Sequence, residues 1–280
     1  MTISRLRWRA ALALGTVATA VLALAASAGA STGLAQISPE QAGYTATNAQ
    51  FKTITAAVFL RNPTQYLDEV HGFAHSVQLW DSAVVVTVGL RASTFGGGYT
   101  TYATVYDHVT DQVIASNPNA EHCPPGAGGC LPGPVTWDPG ANASVRIDYL
   151  GAEKQVVMEA RYEDGSTFHS TYTLSHTQSF NQARVGTEFG ASPWDAPTVH
   201  EPPFNPLKIA AYNHVSLTSY SGYTATLWSW WVHHKLLANT DQQTETDWIA
   251  VPTDLHNGGA SFQTWFVPQS AQSPHARAAP

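Results

Sequence analysis

Lysine is nearly missing from this chain. Only Lys52, Lys154, Lys208 and Lys235 occur in 280 residues, and charged residues of every kind make up 12%. A protein that holds nucleic acid needs basic patches to neutralise phosphate. Docking on an anionic membrane surface makes the same demand, so the composition excludes both. Cysteine is equally scarce, with two residues, and methionine occurs twice. Two cysteines cannot build a four-thiolate zinc site. Helix signals are few, and no apolar run after the first thirty residues approaches the length of a bilayer span.

The start of the chain is set aside first. Arg5, Arg7 and Arg9 precede an apolar run over 10–26, and Ala26-Ser27-Ala28 and Ala28-Gly29-Ala30 both fit a small-x-small cleavage site. This predicts a secretory signal peptide over 1–30 and a secreted, extracellular protein. The run is short and Ala-rich for a membrane anchor. Removing its three arginines from the 13 basic residues leaves ten against 20 acidic ones, a net charge of −10. A short segment at 31–41 then leads into one domain at 42–268. The tail from 269 to 280 is polar and Pro/Ala-rich, a composition that does not fold alone. No internal repeat or linker divides the domain, and a monomer is expected.

Cys123 and Cys130 sit in EHCPPGAGGCLPG. In an exported protein this spacing reads as a disulfide closing a small loop. The bridge would add about 2–3 kcal/mol by restricting the unfolded chain. It is not the two-residue spacing of a redox motif.

What the chain has in quantity is Val, Thr, Tyr, Phe and Trp, punctuated by Gly, Pro, Asn and Asp. Short apolar or alternating runs recur at 51–60, 82–92, 99–109, 143–151, 154–164, 166–175, 182–190, 209–222 and 223–234. That spacing predicts an all-β fold, an antiparallel two-sheet sandwich. Glu163-Asp164-Gly165-Ser166 supplies hairpin turn chemistry between two runs. Segments 116–142 and 191–207 are rich in Pro and Gly and read as surface loops.

Several stretches, in order, resemble the glutamic peptidases (eqolisins). AGYTATNAQFKTITAAVFL resembles their opening Gly-Tyr and the strand after it. SAVVVTVGL resembles their Trp-Val-Gly-Ile strand, and VTWDPGANASVRIDYLG their turn into a strand. QARVGTEFGASPWDAP resembles their Ala-Glu-Trp-Ile-x-Glu strand, and KIAAYNHVSLTS the strand that follows. The resemblance spans about 42–222 and implies a concanavalin-like sandwich. It also implies a cofactor-free endopeptidase active at acid pH on polypeptide substrates. It places the catalytic glutamate, a general acid/base, at Glu188.

The chain departs from the family where the partner glutamine belongs. No glutamine occurs from 89 to 111, and the position nearest the family glutamine is Thr101. The first acid of the glutamate strand is Arg184, and Arg91 replaces an aspartate. Gln78 and Gln112 are the nearest glutamines in sequence. Either serves only if the fold carries it to Glu188. The alternative is a non-catalytic binding or structural module on the same scaffold, holding an extracellular ligand.

Two other constellations bear on function. Trp228 and Trp230 are two apart, so on a strand they share one face and form a platform for a ligand. Trp194, which pins the 191–207 loop, is a further candidate binding residue. The competing reading is that these indoles fill the core. His233-His234 point to opposite faces of a strand and cannot easily share an ion. His200, His214 and His256 lack metal-site spacing, so no metal is expected.

Overall fold

A computed structural model describes residues 36–38, 41–47, 49–62, 73–92, 97–189, 207–229, 232–239 and 248–268. The expected signal peptide, Trp194, Trp230, His200 and the tail lie outside them. The described residues belong to a unit spanning Gly33–Pro280. Among them no helix is long and apolar enough to cross a membrane.

The strands, in chain order, are β1 (Gln36–Ser38), β2 (Gln41–Thr47), β3 (Phe51–Phe59), β4 (Phe73–Trp80), β5 (Val84–Ala92), β6 (Tyr99–Asp107) and β7 (Gln112–Ser116). Short strands follow at β8 (Glu121–Cys123), β9 (Leu131–Pro132) and β10 (Thr136–Trp137). Then come β11 (Asn142–Leu150), β12 (Gln155–Tyr162), β13 (Thr167–Thr173), β14 (Gln182–Phe189) and β15 (Leu207–Ser219). The last are β16 (Thr224–Ala225), β17 (Val232–Asn239), β18 (Trp248–Pro252) and β19 (Phe262–Pro268).

They form the expected antiparallel sandwich. One sheet runs β7-β6-β5-β4-β14-β2-β17, and the other β19-β15-β3-β11-β12-β13-β8. Strand β18 pairs with both β17 and β19 and joins the sheets at one side. Alternation decides which side chains fill the space between. On β11, Ala143, Val145, Ile147 and Tyr149 are buried while Asn142, Arg146 and Leu150 stand in water. On β5, Val84, Val86, Val88 and Leu90 join the common core. Each fully buried aliphatic side chain contributes about 1.5–3 kcal/mol.

The hairpin at 163–166 forms as its sequence predicts. Gly165 takes a φ of 92°, the Asp164 carboxylate accepts from the Ser166 amide at 2.7 Å, and the Tyr162 amide closes on the Ser166 carbonyl at 2.9 Å. Cys123 and Cys130 are bonded to each other. The 116–142 stretch is less loop-like than expected, since β8, β9 and β10 lie within it.

Two expectations about strands need correction. Residues 223–234 are not one strand. Strand β16 ends at Ala225, and a 3-10 turn at Leu227–Ser229 intervenes before β17. Gly259, at a φ of 86°, packs so closely on Trp228 that a Cβ there would lie 2.5 Å from the Trp228 amide nitrogen. Trp228 therefore lies on a turn, 57% exposed, and not on a strand face. The second correction is an omission. FAHSVQLW is β4, and it sits at the centre of the first sheet.

Candidate active site

Glu188 lies near the end of β14, between β4 and β2. Its neighbours in sequence, Val185 and Thr187, face the core and are fully buried. Alternation therefore turns Glu188 outward together with Arg184 and Gly186. The same rule turns Ser76, Gln78 and Trp80 outward from β4, and Tyr102 outward from β6. Register then sets their spacing. Gly186 pairs with Ser76, Ser76 with Gly89, and Gly89 with Tyr102, while Arg184 pairs with Gln78.

Three donors converge on the Glu188 carboxylate. Ser76 Oγ and Gln78 Nε2 both donate to Oε1, the latter at 2.5 Å, and Tyr102 Oη donates to Oε2 at 3.3 Å. The orientation of the Gln78 amide is fixed by chemistry. Trp80 Nε1 lies 2.6 Å from Gln78 Oε1. An indole N–H only donates, so that atom of Gln78 must be the oxygen and the amide nitrogen faces Glu188. Trp80 is held in turn by Arg184, whose guanidinium carbon stands 3.7 Å from the ring centroid. Arg91 stacks in the same way on Tyr102, at 5.1 Å.

Gly89 lets Tyr102 in. A Cβ at Gly89 would sit 2.7 Å from the Tyr102 ring and 2.9 Å from its hydroxyl. Any side chain there would push the phenol off the carboxylate. Burial, and then the charge of Glu188, raise the Tyr102 phenol well above its ordinary pKa. It stays protonated and able to donate across the working range of any carboxylate. Glu188 itself is half-buried.

Thr101 stands elsewhere. Alternation places it on the face of β6 opposite Tyr102, where its hydroxyl donates to the Val135 carbonyl at 3.2 Å and accepts from the Val135 amide at 2.9 Å. Counting along one strand arrived one residue from a group that does reach Glu188. Gln112 is exposed on β7. The amide arrives instead from Gln78, on the strand missing from the sequence reading. Among the described residues the group with metal-ligand spacing is Glu121, Cys123 and Cys130, and its two sulfurs form the disulfide.

Behind the site, on the core face of the same strands, lies a second polar cluster. His75 Nδ1 is 3.2 Å from Thr187 Oγ1 and 3.1 Å from Tyr212 Oη, and Thr187 reaches Thr264 at 3.0 Å. Burial lowers the His75 pKa to about 3.

No family model and no curated protein matches the chain. Solved structures do. Scytalido-glutamic peptidase with a transition state analog inhibitor superposes with a TM-score of 0.53 at 12% identity, covering 82% of this chain and 98% of that one. The same peptidase with a peptide based transition state analog gives 0.51 at 12% identity over the same shares. At this identity the likeness establishes a common fold.

Proposed function

We propose that this protein is a secreted endopeptidase that hydrolyses polypeptides at acid pH, with Glu188 as general base and then general acid and Gln78 as its amide partner. The observation that carries this reading is the Gln78–Glu188 hydrogen bond, held in one orientation by Trp80. A carboxylate and an amide fixed against each other are what such a reaction needs. Glu188 takes a proton from a water molecule as its oxygen attacks the scissile carbonyl carbon. The carbonyl π electrons move onto oxygen, and an amide N–H stabilises the negative charge that develops there. Gln78 Nε2 carries two hydrogens, and one suffices for Glu188. Glu188 then gives its proton to the amide nitrogen as the C–N bond breaks, releasing an acid and an amine. Ser76 and Tyr102 hold the carboxylate in place throughout.

The fold shared with a peptidase crystallised with a peptide based analog supports a polypeptide substrate. The N-terminal pattern and the Cys123–Cys130 disulfide support export.

The test is digestion of reduced, alkylated serum albumin from pH 2 to 7 by the wild type beside Glu188→Gln. Cleavage at acid pH that vanishes in the variant, with both proteins folded by circular dichroism, is the expected result. A folded wild type that cuts nothing at any pH would leave a binding module on this scaffold.

A further inference from the structure

Strand β2 borders the site on the side away from Gln78, and its first residue is Gln41. Gln41 pairs directly with Glu188 across the antiparallel ladder, so the two side chains share one face. It is only 2% exposed, yet neither amide atom has a hydrogen-bond partner. Thr45, four residues along the same face and 3% exposed, likewise has a hydroxyl without a partner. Buried polar groups in folded proteins are almost always satisfied. An amide kept out of water, unpaired and next to a carboxylate, is poised for something that arrives.

Between Gln41 and Thr45 stands Gly43, and the row that runs from it across the sheet is buried and carries little side chain. Gly43, Gly186, Ser76 and Gly89 are consecutive partners across β2, β14, β4 and β5, and Tyr102 closes the row. A Cβ at Gly43 would lie 2.1 Å from the Val185 carbonyl, and one at Gly186 would lie 2.3 Å from the Ala42 carbonyl. The close approach of the two strands demands glycine at both positions. The result is a buried strip of backbone, flanked on one side by Gln41 and Glu188 and on the other by Thr45, Arg184 and Gln78.

We infer that Gln41 is a substrate-positioning residue, whose carboxamide hydrogen-bonds the main chain of an extended polypeptide laid across the strands over this glycine strip. The inference rests on the hydrolase reading above. A main-chain amide offers one donor and one acceptor, and the Gln41 carboxamide offers their complements. Gln41 thus meets the substrate beside the scissile bond, while Gln78 serves Glu188 from the other side.

The test compares wild type, Gln41→Met and Gln41→Glu on one peptide chosen from a site mapped in the albumin digest. Gln41→Met keeps length and loses both polar atoms. It is expected to lower kcat/KM at least tenfold, chiefly through KM, with Tm unchanged or raised because nothing in the protein pairs with the amide. Gln41→Glu donates only while its carboxyl is protonated, so its activity should approach wild type at the acid end and fall with rising pH more steeply than wild type. An unchanged kcat/KM in Gln41→Met overturns the inference, and so does a large loss of Tm, which would mark Gln41 as structural. Wild type that cleaves through Glu188 with indifferent Gln41 variants defeats this inference alone. An inactive wild type defeats the hydrolase reading and takes this inference with it.

Discussion

On the second sheet, Arg146 and Asp148 of β11 and Glu159 and Arg161 of β12 turn outward into water, with the Arg146 side chain 51% exposed. On the first sheet the outward residues Gln41, Thr45, Ser76, Gln78 and Thr87 are polar but uncharged, and all are buried. Both sheets cover the same core with the same alternation, so hydrophobic burial does not explain the difference. Polar groups withdrawn from water are costly unless paired. The second sheet avoids the cost by staying solvated. The first incurs it and recovers part through the network on Glu188. A face kept polar and dry at once is suited to chemistry, where donors act more strongly than in water.

The comparison breaks most sharply at Gln78. Replacing it with Leu removes the donor to Glu188 and the acceptor for Trp80 while keeping the volume. Loss of one preorganised donor typically costs about 10²–10³ in kcat. Gln78→Leu should fall by that much in a peptide assay, and its circular dichroism should stay that of a folded β protein. Full activity in this variant would remove Gln78 from the chemistry.

Next in size is a change of shape. Gly186→Ala places a methyl 2.3 Å from the Ala42 carbonyl oxygen and 2.9 Å from the Gly43 Cα. Neither backbone atom can swing aside, so β2 and β14 must part, at about 3 kcal/mol, the upper end of overpacking effects. Ser144→Ala, on the outward face of β11, should change stability by less than about 0.5 kcal/mol. Urea midpoints of the two variants test the contrast, and similar values would mean that β2 and β14 are not held tightly.

His75 sharpens the comparison from inside. Its folded pKa is lowered to about 3 by burial, below its ordinary 6.5 in the unfolded chain. Between these values the unfolded chain binds a proton that the folded one refuses. The stability that His75 permits is therefore complete above about pH 6.5 and declines as pH falls toward 3, by at most roughly 1.4 kcal/mol per unit. A variant His75→Leu should flatten urea midpoints between pH 6.5 and 4. Tyr212 and Thr187 remain hydrogen-bonded to each other at 3.0 Å, which limits the loss at neutral pH. Parallel pH slopes in wild type and variant would show that the ring charges without opening the core.

The same histidine explains what was hard to read in the sequence. Strands such as β11 and β12 announce themselves by apolar residues at every second position. In FAHSVQLW the inward position two residues before Val77 is His75, and the apolar alternation is lost there. The strand carrying Ser76 and Gln78 was thereby hidden, and with it the amide partner. Glu188 stood out in the sequence through the resemblance of QARVGTEFGASPWDAP to the glutamate strand of the glutamic peptidases. Tyr102 did not, because strand register decides which residue of β6 faces Glu188, and register is a tertiary property. The expected strand at Trp228 gave way to local geometry, since the turn at 227–229 interrupts the period of two there, while Trp230 lies outside the described residues.

The smallest effect belongs to the solvated face. Arg146 makes the most conspicuous ion pair on the second sheet. Its Nη2 donates to Asp148 Oδ1 at 2.9 Å, and its Nε donates to Oδ2. Asp148 has a second donor, since Thr53 Oγ1 reaches it at 2.6 Å from the neighbouring strand. Removing Arg146 therefore leaves no buried charge behind, only a carboxylate that is still hydrogen-bonded and close to water. Exposed pairs contribute about 0–1 kcal/mol, and salt screens them. Arg146→Ala should shift the urea midpoint by less than about 0.5 kcal/mol equivalent, and 1 M sodium chloride should abolish even that difference. A larger, salt-resistant loss would mean that the outer face of β11 is as dry as that of β4, and the contrast between the sheets would fail.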